Sequence, residues 1–309
     1  MWMEGSTSGV YRMWFQHMDI NRISFYQYNT IIVGTGAAGL NAAVTLHKLG
    51  QKNIALITEG RYMGTSRNTG SDKQTYYKMT QCGSEPDSVR KMAKTLFEGG
   101  CVDGDIAMAE AAGSLRAFYH LVDIGVPFPF NKSGEYVGYK TDHDPLKRGI
   151  SAGPLTSKYM TECLERQAEE RGIPFFDGYQ AVRLLTEEKD GEKRAAGIIA
   201  LNKQKAASPD ERYAVFSAVN IIWATGGEAG MYQASVYPVS QTGGMGVLLE
   251  AGAVAKNLTE SQFGIASVKY RWNLSGTFQQ CLPRYLSAEQ DGSHEREFLN
   301  DYFDTPRQL

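Results

Sequence analysis

The sequence is poor in cysteine, in net charge and in uninterrupted apolar stretches. Its four cysteines, Cys82, Cys101, Cys163 and Cys281, are spread over 309 residues with no CxxC pair and no histidine at ligand spacing. That argues against zinc, an iron–sulfur cluster or a disulfide framework, so no metal site is expected, and four scattered thiols suit a reducing compartment. Thirty-two basic side chains against 34 acidic ones leave a formal charge of −2, and no Lys/Arg cluster stands out. The basic face of a nucleic-acid binder is therefore missing. The longest uncharged run, Ile23 to His47, contains Asn29, Asn41, three glycines and several polar side chains. It reads as a buried strand plus helix and not as a membrane span. Near the N-terminus Glu4, Arg12 and Asp19 interrupt Trp2, Trp14 and Phe15, so the apolar core of a signal peptide is lacking and a cytoplasmic location is expected. No internal repeat or low-complexity tract is visible.

What the chain has in excess is glycine, 33 residues in 309, against a usual ~7%. Hydrophobic residues at 42% and charged residues at 21% are near globular averages, and the length gives a prior of about two domains. The first 27 residues show no period and are set aside as an N-terminal extension. Tyr28 to Val33 then forms a β-branched run, Gly34 to Gly39 a glycine turn, and Leu40 to Leu49 a helix closed by Gly50. Asn53 to Thr58 reads as a second strand ending in Glu59. Strand, helix and strand in such short order make a βαβ unit with parallel strands. A polar loop is expected from Arg61 to Tyr77, and mixed helix to about Gly125. A helix should follow from Pro154 to Arg171. Strands are expected over Ala181–Thr186, Ala195–Asn202, Tyr213–Ala218 and Asn220–Thr225, with turns at Asp190-Gly191 and Ser208-Pro209-Asp210. Further helix is expected from Thr242-Gly246 to Gly252, and again from Glu295 to Phe303.

Gly34-Thr35-Gly36-Ala37-Ala38-Gly39 is GxGxxG placed directly after a strand and opening a helix. Gly34 permits the tight turn, Gly36 lets backbone approach a pyrophosphate, and Gly39 lets helix pack on strand, leaving free N–H groups at a positive helix end. Glu59 lies 20 residues past Gly39, where a carboxylate accepts ribose hydroxyls. A carboxylate there also repels a 2′-phosphate, so NAD and FAD are both compatible while NADP is disfavoured.

These features, with a later strand running into Ala224-Thr225-Gly226-Gly227, resemble the FAD-dependent family of fumarate reductase and succinate dehydrogenase flavoproteins. Thr242-Gly243-Gly244-Met245-Gly246 with Ala251-Gly252-Ala253 is similar to that family's TGDG helix and its AGA ending, and Glu260, Gln262 and Phe263 to its E-F-x-Q-F segment. The resemblance implies an α/β fold, a Rossmann-like FAD-binding domain with a parallel sheet, helices and a β-meander insertion, followed by the start of a cap domain. It divides the chain into an extension (1–27), an FAD-binding domain (28–262) and the start of an incomplete cap or substrate domain (263–309). It implies diphosphate contacts from Gly34, Gly36, Ala37, Ala38 and Gly39, and a ribose contact from Glu59 with Gly60 beside it. Ser66, Arg67, Asn68, Thr69, Gly70 and Ser71 would wrap the flavin, Val182 would lie by the adenine, and Ala224, Thr225, Gly226 and Gly227 would line the dinucleotide.

The departures narrow the expectation. Family members that attach FAD covalently use a histidine in the segment matching Thr65 to Gln74, and none is present there, so the FAD is expected to be non-covalent. Lys73 or Gln74 occupies the region of the family's paired glycines. Where the family continues Q-F-H-P-T this chain has Gln262-Phe263-Gly264-Ile265-Ala266, and nothing later matches R-G-E-G-G with its proton-donating arginine. The expectation is therefore hydride transfer between flavin N5 and a small-molecule substrate other than fumarate or succinate, with room for an electron-transfer partner. No catalytic residue is assigned. Arg271, Arg284 and Tyr285 sit in the divergent stretch, and His143 between two aspartates reads as a loop residue. The alternatives are an NAD-dependent dehydrogenase and a non-catalytic flavin-binding module. The meander and the ATGG strand favour FAD over a plain Rossmann half.

Overall fold

The computed structural model describes residues 22–70, 74–141, 144–227, 237, 243–258, 281 and 283–305. In chain order the elements are β1 (Ser24–Val33), α1 (Ala37–Lys48), β2 (Ile54–Thr58), α2 (Thr65–Asn68), β3 (Tyr76–Tyr77), α3 (Val89–Glu98), α4 (Gly104–Asp123), β4 (Gly149–Ile150) and α5 (Thr156–Glu170). They continue with β5 (Phe175–Asp177), β6 (Tyr179–Lys189), β7 (Glu192–Asn202), β8 (Tyr213–Trp223), α6 (Met245–Glu250), β9 (Leu286–Ser287) and β10 (Arg296–Glu297). Six strands form one sheet in the order β5-β2-β1-β8-β7-β6. β5, β2, β1 and β8 run parallel, whereas β8, β7 and β6 form an antiparallel meander. The fold is thus α/β, with a parallel sheet and a meander insertion.

Alternation along β1 and β2 explains the layering. Ile32, Ile54 and Leu56 point to one face, where they meet Leu40, Ala43 and Val44 of α1 and Leu164 and Ala168 of α5. Ile31, Val33, Ala55 and Ile57 point to the other, where Ile198 and Ala200 of β7 and Phe216 of β8 cover them. Every residue of β2 is buried, as a strand covered on both faces requires. β5 and β6 lie at opposite ends of the strand order yet are separated only by Gly178, whose φ of +82° turns the chain back. Phe176, Tyr26 and Tyr179 then gather around Phe216, with Phe176 and Phe216 centroids 4.8 Å apart.

A second body packs beside the sheet. Met92 and Ala93 of α3 meet Ala107 and Ala111 of α4, and the two helices are capped by Ser88 and Asp103. Beneath them Arg148, 1% exposed, donates to both carboxylate oxygens of Asp87 at 2.9 and 2.7 Å, to Thr95 Oγ1 at 2.9 Å and to Tyr77 Oη at 3.2 Å. Burial alone would raise the Asp87 carboxyl, but the Arg148 bonds and the N–H groups of Thr80 and Ser88 hold it below its usual value. Burial also pushes the Tyr77 hydroxyl up to about 12.

Several boundaries differ from those read in the sequence. α1 starts at Ala37 and not Leu40, because Ala37 and Ala38 continue the helical turn that Gly36 caps. β1 begins at Ser24, where it pairs with Ala214 of β8. The two strands expected over 213–225 are one, since β8 keeps its register with β1 straight through Ala218 and Asn220. The loop of 61–77 contains α2 and β3. The helix expected over 295–303 is instead strand β10 paired with β9, then a 3-10 turn at Leu299–Asp301. A turn from Glu289 to Ser293, with Gly292 at φ +83°, folds that pair. Among the described residues no helix is long and apolar enough to cross a membrane.

Candidate functional site

The carboxyl ends of β1, β2 and β8 meet at one edge of the sheet. Gly34 N–H donates to Ile57 carbonyl at 2.8 Å, and Ala224 N–H donates to Val33 carbonyl at 2.8 Å. Gly34 has φ +108°, and a β-carbon there would lie 2.4 Å from the Ala224 carbonyl oxygen. Gly39 is hemmed in by backbone, its notional β-carbon 2.0 Å from the Gly34 carbonyl oxygen. Gly36 differs, with φ −75° and, among the described residues, only Ser66 Oγ near, at 3.4 Å. The first and third glycines are therefore demanded by the protein's own packing, while the second keeps the surface at the start of α1 bare. No acidic side chain occupies the first turn of α1, so its N-terminus presents positive potential to this surface.

A cleft of about 260 Å³ opens above these strand ends. Gly34, Gly36, Ala37, Ala38, Glu59, Gly60, Ser66, Ala224, Thr225 and Gly226 all line it. The structure thus brings together ten of the residues expected at the site. Gly39 lies below it as packing. Arg67 turns away to Glu165 on α5, Asn68 donates to the carbonyls of Tyr62 and Gly64, and Thr69 donates to Thr65 carbonyl. Gly70 packs near Pro154, Val182 sits at an irregularity between Ala181 and Arg183 in the β6–β7 pairing, and Gly227 follows the lining segment. Ser71, Lys73, His143, Thr242, Glu260, Gln262, Phe263 and Arg271 lie outside the described residues. Gln74 joins Thr69 carbonyl to the N–H and hydroxyl of Ser157. Arg284 pairs with Glu297 across β9 and β10.

Other residues complete the walls. Thr35 and Thr58 hydroxyls are 3.0 Å apart and buried, and Thr58 also accepts from Gly60 N–H at 3.3 Å, which fixes the turn after β2. Tyr179, Gln180 and Ala181 line the cleft from the meander, and Trp223, Gly243 and Gly244 from the end of β8 and the start of α6. A β-carbon on Gly244 would stand 2.7 Å from both Trp223 Nε1 and Thr225 Oγ1. Trp223 Nε1 and Thr65 Oγ1 are buried without a partner among the described residues. A bare glycine floor, a positive helix end and two unpaired polar atoms are what a buried polar ligand needs. The strand-end glycine turn was legible in the sequence. The tryptophan and Lys203, which donates to Glu59 at 2.9 Å, were not.

One wall is held from behind. Glu165 on α5 accepts from Arg61 Nε at 2.6 Å and from Arg67 at 2.5 Å, and Arg61 also pairs with Glu169. Arg61 N–H donates to Asp177 at 2.8 Å, and its guanidinium lies 4.2 Å from the Phe175 ring centroid. Removing the shared carboxylate leaves Arg61 with Glu169 alone and Arg67 with Glu162 at 3.8 Å, both largely buried cations short of their main partner. Glu165→Ala is expected to lower stability by about 2–3 kcal/mol, less than the 3–5 of a fully buried pair because these groups keep some solvent contact. Thermal unfolding checks the loss, and limited proteolysis within 61–70 should accelerate.

A parallel sheet with a glycine turn, a helix N-terminus and a strand-end acid around one cleft defines a Rossmann-type dinucleotide-binding protein. The model of the FAD binding domain family matches residues 29–283, and the chain belongs to that family, whose cofactor is FAD. Over 242 residues it is 28% identical to an L-aspartate oxidase of Agrobacterium fabrum, covering 76% of this chain and 42% of that one. Over 267 residues it is 26% identical to a succinate dehydrogenase flavoprotein subunit of Rickettsia conorii, covering 78% and 40%. Among solved structures, an E. coli quinol fumarate reductase superposes with a TM-score of 0.62 at 21% identity, covering 74% of this chain and 37% of that one, which supports the fold. The chain spans less than half the length of these curated relatives.

Proposed function

We propose that the chain is the cofactor-binding part of an FAD-dependent oxidoreductase that holds FAD without a covalent bond and acts on a small molecule other than fumarate or succinate. The observation that carries this reading is the bare floor at Gly36, where α1 begins beneath the cleft. Gly34, Gly36, Ala37 and Ala38 would face the diphosphate, Glu59 the adenosine ribose, and Ala224 to Gly226 the dinucleotide. Thr65 Oγ1 and Trp223 Nε1 supply polar atoms that need a partner. When bound, FAD supplies hydride transfer at N5, and the protein supplies position and electrostatics. Within this reading 28–262 is the FAD-binding domain and 263–309 the start of a cap, and the two electrons pass on to an acceptor or partner protein. The absence of histidine from 65–74 supports a dissociable cofactor, and the Gly264-Ile265-Ala266 sequence supports a substrate outside the dicarboxylate pair.

Purified chain incubated with FAD and desalted should show the two visible flavin bands, and acid denaturation should release all of the yellow colour into the filtrate. A colourless protein that NAD protects against heat while FAD does not would overturn the cofactor assignment. At a hundredfold excess over Kd, the true ligand stabilises by about 2.7 kcal/mol. Flavin that stays with the precipitated chain would overturn the non-covalent part alone.

A further inference from the structure

Lys203 is 144 positions from Glu59 in sequence, yet its Nζ donates to Glu59 Oε1 at 2.9 Å on the lip of the cleft. Its placement is not accidental to a loose side chain. Lys203 N–H donates to Gly178 carbonyl at 2.9 Å, and the preceding Asn202 caps the short turn by accepting from Gln204 N–H at 3.1 Å. Asn202 also donates to the hydroxyl of Tyr179, a residue of the cleft wall, at 3.1 Å. Both side chains keep solvent contact, 43% for Lys203 and 30% for Glu59, so the pair contributes little to folding. Its effect falls on what the lip can bind. One carboxylate oxygen is engaged by the ammonium, the other has no hydrogen-bond partner among the described residues and can accept from a hydroxyl, and the two charges cancel at the point where a bare carboxylate would repel an anion.

Resting on the FAD reading above, we infer that Lys203 is the specificity-determining residue of the adenosine end: it holds Glu59 for the ribose and neutralises it, so that the lip tolerates a phosphate on the ribose 2′-hydroxyl. The ligand class is thus an adenosine diphosphate moiety with or without that phosphate. The nearest cation to Glu59 makes the difference, since a unit charge about 4 Å away across water changes affinity roughly fivefold.

The test titrates the full chain with ADP and with its 2′-phosphorylated form by calorimetry, for wild type, Lys203→Met, Lys203→Arg and Glu59→Gln. Wild type should bind both ligands within about tenfold of each other. Lys203→Met should bind the 2′-phosphorylated ligand at least fivefold more weakly relative to ADP, with an unchanged melting temperature. Lys203→Arg should restore the wild-type ratio, and Glu59→Gln should shift the ratio toward the phosphorylated ligand. High salt should shrink the Lys203→Met effect. A ratio that Lys203→Met leaves unmoved, while ADP and FAD still bind, overturns this inference and spares the cofactor assignment. Failure of wild type to bind either ADP or FAD overturns both.

Discussion

Gly36→Ala should fold as the wild type does and bind FAD at least tenfold more weakly, whereas Gly39→Ala should cost several kcal/mol of stability. The contrast follows from what each added methyl would meet. At Gly36 the backbone is in an ordinary region and the sole neighbour among the described residues is a serine hydroxyl at 3.4 Å, so the fold has room. The methyl would instead stand where, in the proposed reading, the cofactor's diphosphate approaches. At Gly39 the methyl would lie 2.0 Å from the carbonyl oxygen of Gly34, and backbone cannot yield as a flexible side chain can. Overpacking typically costs 1–3 kcal/mol, and separating α1 from β1 would add the loss of burial around Leu40 and Val44. Flavin titration and thermal unfolding of the two variants separate the outcomes. Equal melting temperatures for both would refute the packing account, and unchanged flavin affinity in Gly36→Ala would refute the cradle.

The second large effect is expected at Arg148. Its guanidinium ties Asp87, Thr95 and Tyr77 together in a space that admits almost no solvent. Arg148→Met keeps the volume of the stem but strands the Asp87 carboxylate, and the loss should reach about 3–5 kcal/mol. The pH dependence has a definite sign. Because the folded Asp87 carboxyl lies below its ordinary value, its contribution is complete above about pH 4 and disappears as pH falls through the unfolded value toward the folded one. In Arg148→Met the desolvated carboxyl loses its counter-ion and its folded value rises, so the Asp87 part of the acid loss should shrink or reverse, and the variant should recover relative to wild type as pH falls. Chemical denaturation between pH 3 and 7 measures both. A flat profile in wild type would sink the argument.

How much of this is legible in the sequence depends on sequence distance. The β1–α1–β2 unit and its glycine turn were legible because each signal is local: a β-branched run, three glycines at fixed offsets, and an acid after the second strand. The meander was legible from Asp190-Gly191 and alternating apolar residues. β5 was invisible, since three residues carry no period, although it closes the sheet edge beside β2. β8 was read as two strands because Val219 and Asn220 look like a break, when they stay in register with β1 and are exposed because no element among the described residues covers them. The cation on Glu59 could not be read at all. It depends on a turn after β7 that carries Lys203 back to the lip, and no local pattern in either segment reports the other.

Ser66 Oγ accepts the N–H of Ala37 at 3.3 Å, which is the first helical amide after the bare glycine. That amide is one of the orphan donors every helix start leaves behind, and here a side chain of the short helix α2 quenches it. Incoming phosphate would therefore not find a naked donor but would evict a hydroxyl, trading one hydrogen bond for a stronger, charge-assisted one. The grip at this atom would accordingly be the difference between two bonds, with the serine holding the amide's place until a guest arrives.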